Sequence, residues 1–343
     1  MEEETLDFDA VRQAWRAAHL VPLWESPTAH KRPPGPVPAH LWKWEMVRPM
    51  VAEALNITSP SVVERRVLQL VNPQARTPED ESTAGILAAA IQSLRPGESA
   101  RPHRHSMNAL RFVLEGSGAV TVVDGKPCPM SRGDLILNPA WTWHGHRHDG
   151  DRPVIWLDVL DVPLHNYLGS AKFQPGPPDQ MPHAIAEDAF AVPNLVPEIS
   201  GVPRSYSPVF RYPYADACAA AAAAPLAADG TRRVRYANPL NGGSCVSLLD
   251  AWFVQIDPTG QATVPVRTTG SAVCCVVDGH GESTIGESTF SWGPNDIFTL
   301  PAGNRVTHRC TSAAPARLFV VTDQEVWARL GLLENEPAVP GAL

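Results

Sequence analysis

A chain of 343 residues exceeds what one hydrophobic core usually organises, so two domains, or one built from two similar halves, are expected. Apolar residues at 44% against only 19% charged argue against a disordered chain, and 35 prolines, about 10% of the sequence, argue against an all-helical one. A net charge of −8 with no extended basic run gives no electrostatic footprint for nucleic acid, and no apolar stretch approaches the roughly 18 residues of a membrane span.

The N-terminus, MEEETLDFDA, lacks the basic-then-apolar order of a signal peptide, so a soluble cytoplasmic protein is expected. Cys128, Cys218, Cys245, Cys274, Cys275 and Cys310 show no CxxC spacing, and neither a zinc site nor a disulfide framework follows. Helical periodicity over 9–20 and 40–55 predicts a helical arm over 1–60. From 86 to 160 short apolar runs (ILAAAIQSL, ALRFVLEG, AVTVVDG, DLILNP, VIWLDVLDV) alternate with Pro-Gly, Gly-Ser-Gly, Asp-Gly and Arg-Gly-Asp turn signals and predict strands, placing a first barrel over 61–165. A linker follows over 166–230, with a short helix in the alanine tract 216–224 that Pro225 stops. A second strand series (LLDAWFVQID, SAVCCVVDGHG, DIFTLPAG, ARLFVVTD) predicts a second barrel over 231–330, before a tail over 331–343. The two series match in order, an internal duplication suited to two small β-barrels packed together.

Five of the 12 histidines fall between 103 and 148, as HxH and HxHxH. His103 and His105, at i and i+2 on a strand, project from one face and can share an ion. A third imidazole from a neighbouring strand, His144, would complete three neutral nitrogen ligands and leave open positions, as a catalytic metal requires. His146 and His148 fit a functional and a surface role equally well. Arg111, flanked by Leu110 and Phe112, lies on the strand leaving the site, where its guanidinium could meet a bound carboxylate or pair with Asp158.

Gly97-x5-His103-x-His105 and Gly133-x5-Pro139-x4-His144-x3-His148 resemble the two cupin motifs, and the duplication resembles a bicupin. That resemblance implies a mainly β protein of two double-stranded β-helix (jelly-roll) barrels with an N-terminal helical arm. Many cupins carry a carboxylate ligand a few residues after HxH; here that region reads Ser106-Met107-Asn108-Ala109. A three-histidine site is similar to the iron-dependent ring-cleaving branch rather than to the four-ligand manganese decarboxylases.

Over most of the chain the segments ERRVLQLVNP, PGESARPHRHSMNALRFVLEGSGA, NPAWTWHGHRHDG, WLDVLDVPL, FRYPYA and YANPLNGG resemble the gentisate 1,2-dioxygenase family, which includes salicylate and 1-hydroxy-2-naphthoate dioxygenases. Carried over position by position, the resemblance puts iron ligands at His103, His105 and His144, and substrate contacts at Arg66, Gln92, Arg111, His146 and Asp158. It implies one Fe(II) per subunit in the first cupin and O2-dependent opening of an ortho-hydroxy aromatic carboxylate, gentisate or a substituted salicylate, between the carboxyl-bearing and hydroxyl-bearing carbons. Arg111 and Arg66 would orient the carboxylate, His146 would relay the phenolic proton, and Asp158 would fix that histidine's tautomer or an arginine. The sequence alone does not separate Arg65 from Arg66; the resemblance favours Arg66. It also implies a homo-oligomer, tetramer or dimer.

In the second half the matching positions read Val266, Thr268 and Val306, so that cupin is expected to have lost its metal and to serve a structural or oligomeric role. His280 and His308 are expected to be ordinary surface or loop residues. Related enzymes often carry an aromatic residue near Ala88, and a small side chain there would widen the pocket. The competing readings are a metal-dependent bicupin decarboxylase or isomerase, and a non-enzymatic small-molecule-binding bicupin.

Overall fold

The computed structural model describes residues 7–20, 22, 24, 37–63, 65–73, 82–176, 188–192, 195–199 and 205–337. Residues 1–6, much of 21–36, Glu64 of the ERRVLQLVNP segment, parts of the expected linker and the tail from 338 lie outside the described residues. The chain divides into two compact units, 1–35 and 36–343. In the first, helix α1 (Phe8–Ala17) starts at Asp7, whose carboxylate accepts from the amides of Asp9 and Ala10.

The second unit opens with β1 (Leu41–Trp42), α2 (Trp44–Ile57) and α3 (Pro60–Val63). The helix expected from residue 40 thus begins as a strand, because Leu41 and Trp42 pair antiparallel with Phe298 and Ile297, far along the chain. The arm expected over 1–60 is therefore not one piece.

The first strand series comprises β2 (Val67–Leu70), β3 (Ala88–Leu94), β4 (Ser99–His105), β5 (Ala109–Glu115), β6 (Ser117–Val123), β7 (Lys126–Ser131), β8 (Leu135–Asn138), β9 (His144–His148) and β10 (Val154–Leu160). Helix α4 (Val162–Tyr167), β11 (Phe173–Pro175), β12 (Arg211–Tyr212) and α5 (Tyr214–Ala223) follow. The second series is β13 (Arg232–Arg235), β14 (Asp250–Ile256), β15 (Val266–Thr268), β16 (Ala272–Asp278), β17 (Gly281–Ile285), β18 (Ser288–Trp292), β19 (Ile297–Leu300), β20 (Arg305–Cys310) and β21 (Ala316–Thr322), then α6 (Gln324–Arg329) and β22 (Asn335–Pro337).

Two six-stranded sheets run β12-β8-β5-β10-β3-β2 and β1-β19-β16-β21-β14-β13; two five-stranded sheets run β11-β4-β9-β6-β7 and β22-β15-β20-β17-β18. The orders match strand for strand, so the duplication read from the sequence is a duplication of barrels. The barrels also exchange end strands. β12, from the segment read as linker, extends the first barrel's sheet, and β1, from the expected arm, extends the second's.

The strands β5, β10 and β16 are buried almost throughout, which is why they read as unbroken apolar runs. One face of their sheets lines a barrel; the other joins a core shared by both barrels, where the rings of Phe112 and Phe319 stack 4.2 Å apart. In the five-stranded sheets one face is solvated, and β7 alternates buried and exposed at every residue. Gly133, at φ +85°, makes the turn into β8 against the ring of Tyr214, which a Cβ would meet at 2.5 Å.

Candidate metal centre

His103 and His105 share a face of β4, and the register sets His144 of β9 directly opposite His103. All three rings are buried, and their nearest donor nitrogens lie within 4.8 Å of one another. Each Nδ1 sits against a backbone carbonyl: His103 on Arg101 at 3.1 Å, His105 on Met107 at 2.8 Å, His144 on Thr142 at 3.0 Å. A carbonyl only accepts, so Nδ1 carries the proton and Nε2 keeps its lone pair for a cation. Burial lowers the pKa of His103 to about 3 and of His105 to about 4, and takes His144 well below its usual value, so the rings are neutral ligands at physiological pH. His103 Nε2 is buried with no hydrogen-bond partner, a cost that a bound cation would remove. These residues fit a divalent metal held by three imidazoles.

No carboxylate completes the set after HxH. Asn108 turns away: its backbone N–H and its Nδ2 donate to Asp161 at 2.9 and 2.8 Å, and its Oδ1 accepts from Ala140 N–H at 3.1 Å. That stitch joins the loop after His105 to the loop before His144.

His146, two residues beyond His144 on the same strand face, is buried against Trp156, with ring centroids 5.6 Å apart. Arg111 Nη1 lies 2.9 Å from both of its ring nitrogens, and Thr121 Oγ1 lies 3.1 Å from Nδ1. Burial first and Arg111 second push its pKa well down, so the ring is neutral. Arg111 is fixed in turn by Asp158, which accepts from Nε at 2.8 Å and Nη2 at 3.1 Å and also from Trp156 Nε1 at 2.9 Å. With Nη1 also reaching Thr121 Oγ1 at 3.2 Å, four of the five Arg111 N–H groups are occupied. Of the two roles open to Arg111 in the sequence, its geometry is that of the ion pair with Asp158 rather than a free carboxylate clamp.

Arg66 also differs from expectation. It is buried with all five N–H groups engaged, on Glu98 (2.7 and 2.9 Å), the Thr58 carbonyl and the Ser93 carbonyl. The neighbouring arginine faces the site: the charge of Arg65 helps depress His103, His105 and His146, and its guanidinium lies 5.6 Å from the ring of Phe173. Gln92 is buried on β3 opposite Trp156, and among the described residues no hydrogen bond takes its amide. Ala90, opposite Asp158, and Ala88 share that inward face.

Sequence reasoning missed Phe173, whose ring stacks 5.5 Å from His103 at an interplanar angle of 19°. It lies on β11, in the segment read as linker, and only its pairing with β4 brings it to the site. His148 is buried and bonded to the Arg152 carbonyl at 2.5 Å, away from the triad.

A cupin domain family model matches residues 90–160. The chain is 36% identical over 335 residues to a gentisate 1,2-dioxygenase of Ralstonia sp., covering 94% of this chain and 93% of the relative. The chain belongs to the gentisate 1,2-dioxygenase family. A 5-aminosalicylate 1,2-dioxygenase of Comamonas sp. is 32% identical, covering 98% of this chain and 92% of the relative. The crystal structure of a salicylate 1,2-dioxygenase from Pseudaminobacter salicylatoxidans superposes with a TM-score of 0.87 at 28% identity, over 98% of this chain and 99% of that one. As a member of the gentisate dioxygenase family, the protein is an oxidoreductase of the dioxygenase type with a cupin, mainly β fold.

In the second barrel the register sets Val266 opposite Val306 as it sets His103 opposite His144, and Thr268 takes the place of His105. Among the described residues His103, His105 and His144 form the one group able to hold a metal. His280 is exposed as expected, whereas His308 is a correction: it is buried on β20, because that strand alternates and His308 falls on its barrel face.

Proposed function

We propose that the enzyme opens the ring of an ortho-hydroxy aromatic carboxylate, gentisate or a substituted salicylate, between the carboxyl-bearing and hydroxyl-bearing carbons, adding both atoms of O2. The observation that carries this reading is three neutral imidazoles with Nε2 converging and, among the described residues, no fourth protein ligand. His103, His105 and His144 would hold one Fe(II) per subunit. Bound there, iron supplies the Lewis acidity and the electron transfer that bring the ring and dioxygen to reaction.

The chain's own residues bind, orient and move a proton. Arg65, whose positive charge reaches the histidines, is the partner for the substrate carboxylate. Gln92 offers a buried amide on the adjacent strand. His146 would relay the phenolic proton rather than hold it, since burial and the Arg111 guanidinium beside the ring disfavour an imidazolium. Asp158 and Trp156 act through Arg111, fixing the guanidinium against His146. Phe173 screens His103 from water with its face, and Ala88 and Ala90 leave room for substituents on the ring. Asn108 being committed to Asp161 speaks against the four-ligand decarboxylase arrangement.

Exposed apolar side chains on α2 and α3, Met46, Met50, Ile57 and Val62, support a homo-oligomer, tetramer or dimer. No described helix is long and apolar enough to cross a membrane. The reading is tested by loading the protein anaerobically with Fe(II), offering a panel of hydroxylated benzoates, and following oxygen uptake with loss of ring absorbance. Decarboxylation or isomerisation of the same substrates without stoichiometric oxygen uptake would overturn it.

A further inference from the structure

The matching registers allow the second barrel to be compared with the first, residue by residue. Asp158 lies between Arg111 and Ala90; Val320 lies between Cys274 and Trp252 in the same places. The ion pair that fixes His146 is thus replaced by apolar groups. His146 itself has a counterpart, since Thr121 faces His146 as Ser283 faces His308. The second barrel has kept this histidine and its hydroxyl partner at positions where all three metal ligands are Val or Thr.

That barrel is not packed solid. A cavity of about 370 Å³ occupies it, lined at the former ligand positions by Val266, Thr268 and Val306, and around them by Trp252, Leu318 and Val320. A volume in this range suits a small organic ligand. Trp252, Val266, Val306 and Val320 line this cavity and are only half-buried, whereas Val276 and Phe298 of the same barrel are fully buried.

Two hydrogen-bond donors border this apolar space. His308 Nδ1 lies 2.7 Å from Ser283 Oγ, which also accepts from Trp292 Nε1 at 2.8 Å. With the Ser283 hydroxyl donating to Nδ1, His308 carries its own proton on Nε2. Burial holds that ring neutral, with a pKa lowered to about 4. Arg233, across from Val254, reaches the same cavity. Its Nη2 meets Asp229 and its Nε donates to Thr231 Oγ1 at 2.8 Å, while among the described residues nothing takes Nη1. Asp229 is paired with Arg233 and accepts from the Thr231 hydroxyl and N–H, at 2.8 and 3.1 Å.

We infer that the second barrel is a binding site for a small aromatic carboxylic acid, its ring among Trp252, Val306 and Val320 and its carboxylate on Arg233 Nη1 and His308 Nε2–H. A guanidinium and a neutral imidazole N–H at one end of an apolar chamber suit an anion carried on a flat apolar body, and the indole of Trp252 gives it an aromatic wall. The barrel that lost its metal is a ligand chamber, not only a structural partner. This site stands whether or not the first barrel opens rings.

The test is benzoate binding to the Fe(II)-loaded, full-length protein by isothermal titration calorimetry under anaerobic conditions. Val306→Trp fills the chamber and should bind one benzoate fewer per chain than the wild type, and Arg233→Gln should weaken that same site at least tenfold. A folded Val306→Trp protein with unchanged stoichiometry overturns the site. Should Val306→Trp fail to fold, Arg233→Gln decides: affinity equal to wild type overturns the proposal, and the tenfold loss supports it.

Discussion

Arg111 and Asp158 face each other across β5 and β10, joined by two hydrogen bonds of 2.8 and 3.1 Å, both side chains almost wholly out of water. The pair does not meet a ligand by itself. It holds His146, because the Arg111 Nη1 left over from it is the group that touches the imidazole.

Breaking the pair leaves a buried guanidinium uncompensated, which costs about 3–5 kcal/mol. Asp158→Ala should lower the urea midpoint accordingly, cut kcat more than it raises KM, and retain bound metal in the folded fraction. Metal analysis and chemical denaturation check this; a variant that keeps kcat shows that His146 needs no such support.

Arg65→Met should raise KM for an aromatic hydroxy acid at least tenfold while metal content holds, since removing a carboxylate partner costs more than about 1.4 kcal/mol. Arg66→Met should behave in the opposite way, destabilising the protein by stranding Glu98 and two backbone carbonyls, with KM little changed. Steady-state kinetics alongside thermal unfolding separate the two. Equal KM effects would return the carboxylate role to both residues.

These adjacent arginines show where the sequence stops being informative. Consecutive residues entering a strand face opposite ways, so one of the two had to point inward, but which one depends on how β2 pairs with β3. The histidines needed no such knowledge, because HxH fixes two rings on one face whatever the register. The duplication was also legible, being a repeat of turn signals. The exchanged strands β1 and β12 were not: each is two residues long, and its only cause is a partner strand distant in sequence. Phe173 was hidden for the same reason, and the inward position of His308 shows only once Ser283 is known to face it.

Ala88→Trp should narrow the pocket from the inward face of β3. The fall in kcat/KM should be larger for 1-hydroxy-2-naphthoate than for gentisate by a factor of about ten or more, with overpacking strain of about 1–3 kcal/mol as an upper limit on lost stability. A uniform loss for both substrates would place the ring elsewhere.

His308 titrates near 6.5 when unfolded and at about 4 when folded, so between those values the unfolded chain holds the extra proton. Its contribution to stability is complete above pH 6.5 and is lost as pH falls toward 4. Between pH 7 and 5 this residue should remove about 2 kcal/mol, and His308→Gln should flatten that part of the pH profile. Parallel profiles for wild type and variant would contradict burial of a neutral ring.

The central claim is tested most directly by titrating anaerobically prepared wild-type and His105→Ala protein with Fe(II), then admitting oxygen with gentisate or a salicylate. One iron per chain and one O2 consumed per ring lost in the wild type, with both gone in His105→Ala, is the predicted result. Undiminished ring opening by His105→Ala, or ring loss in the wild type without oxygen uptake, would contradict it.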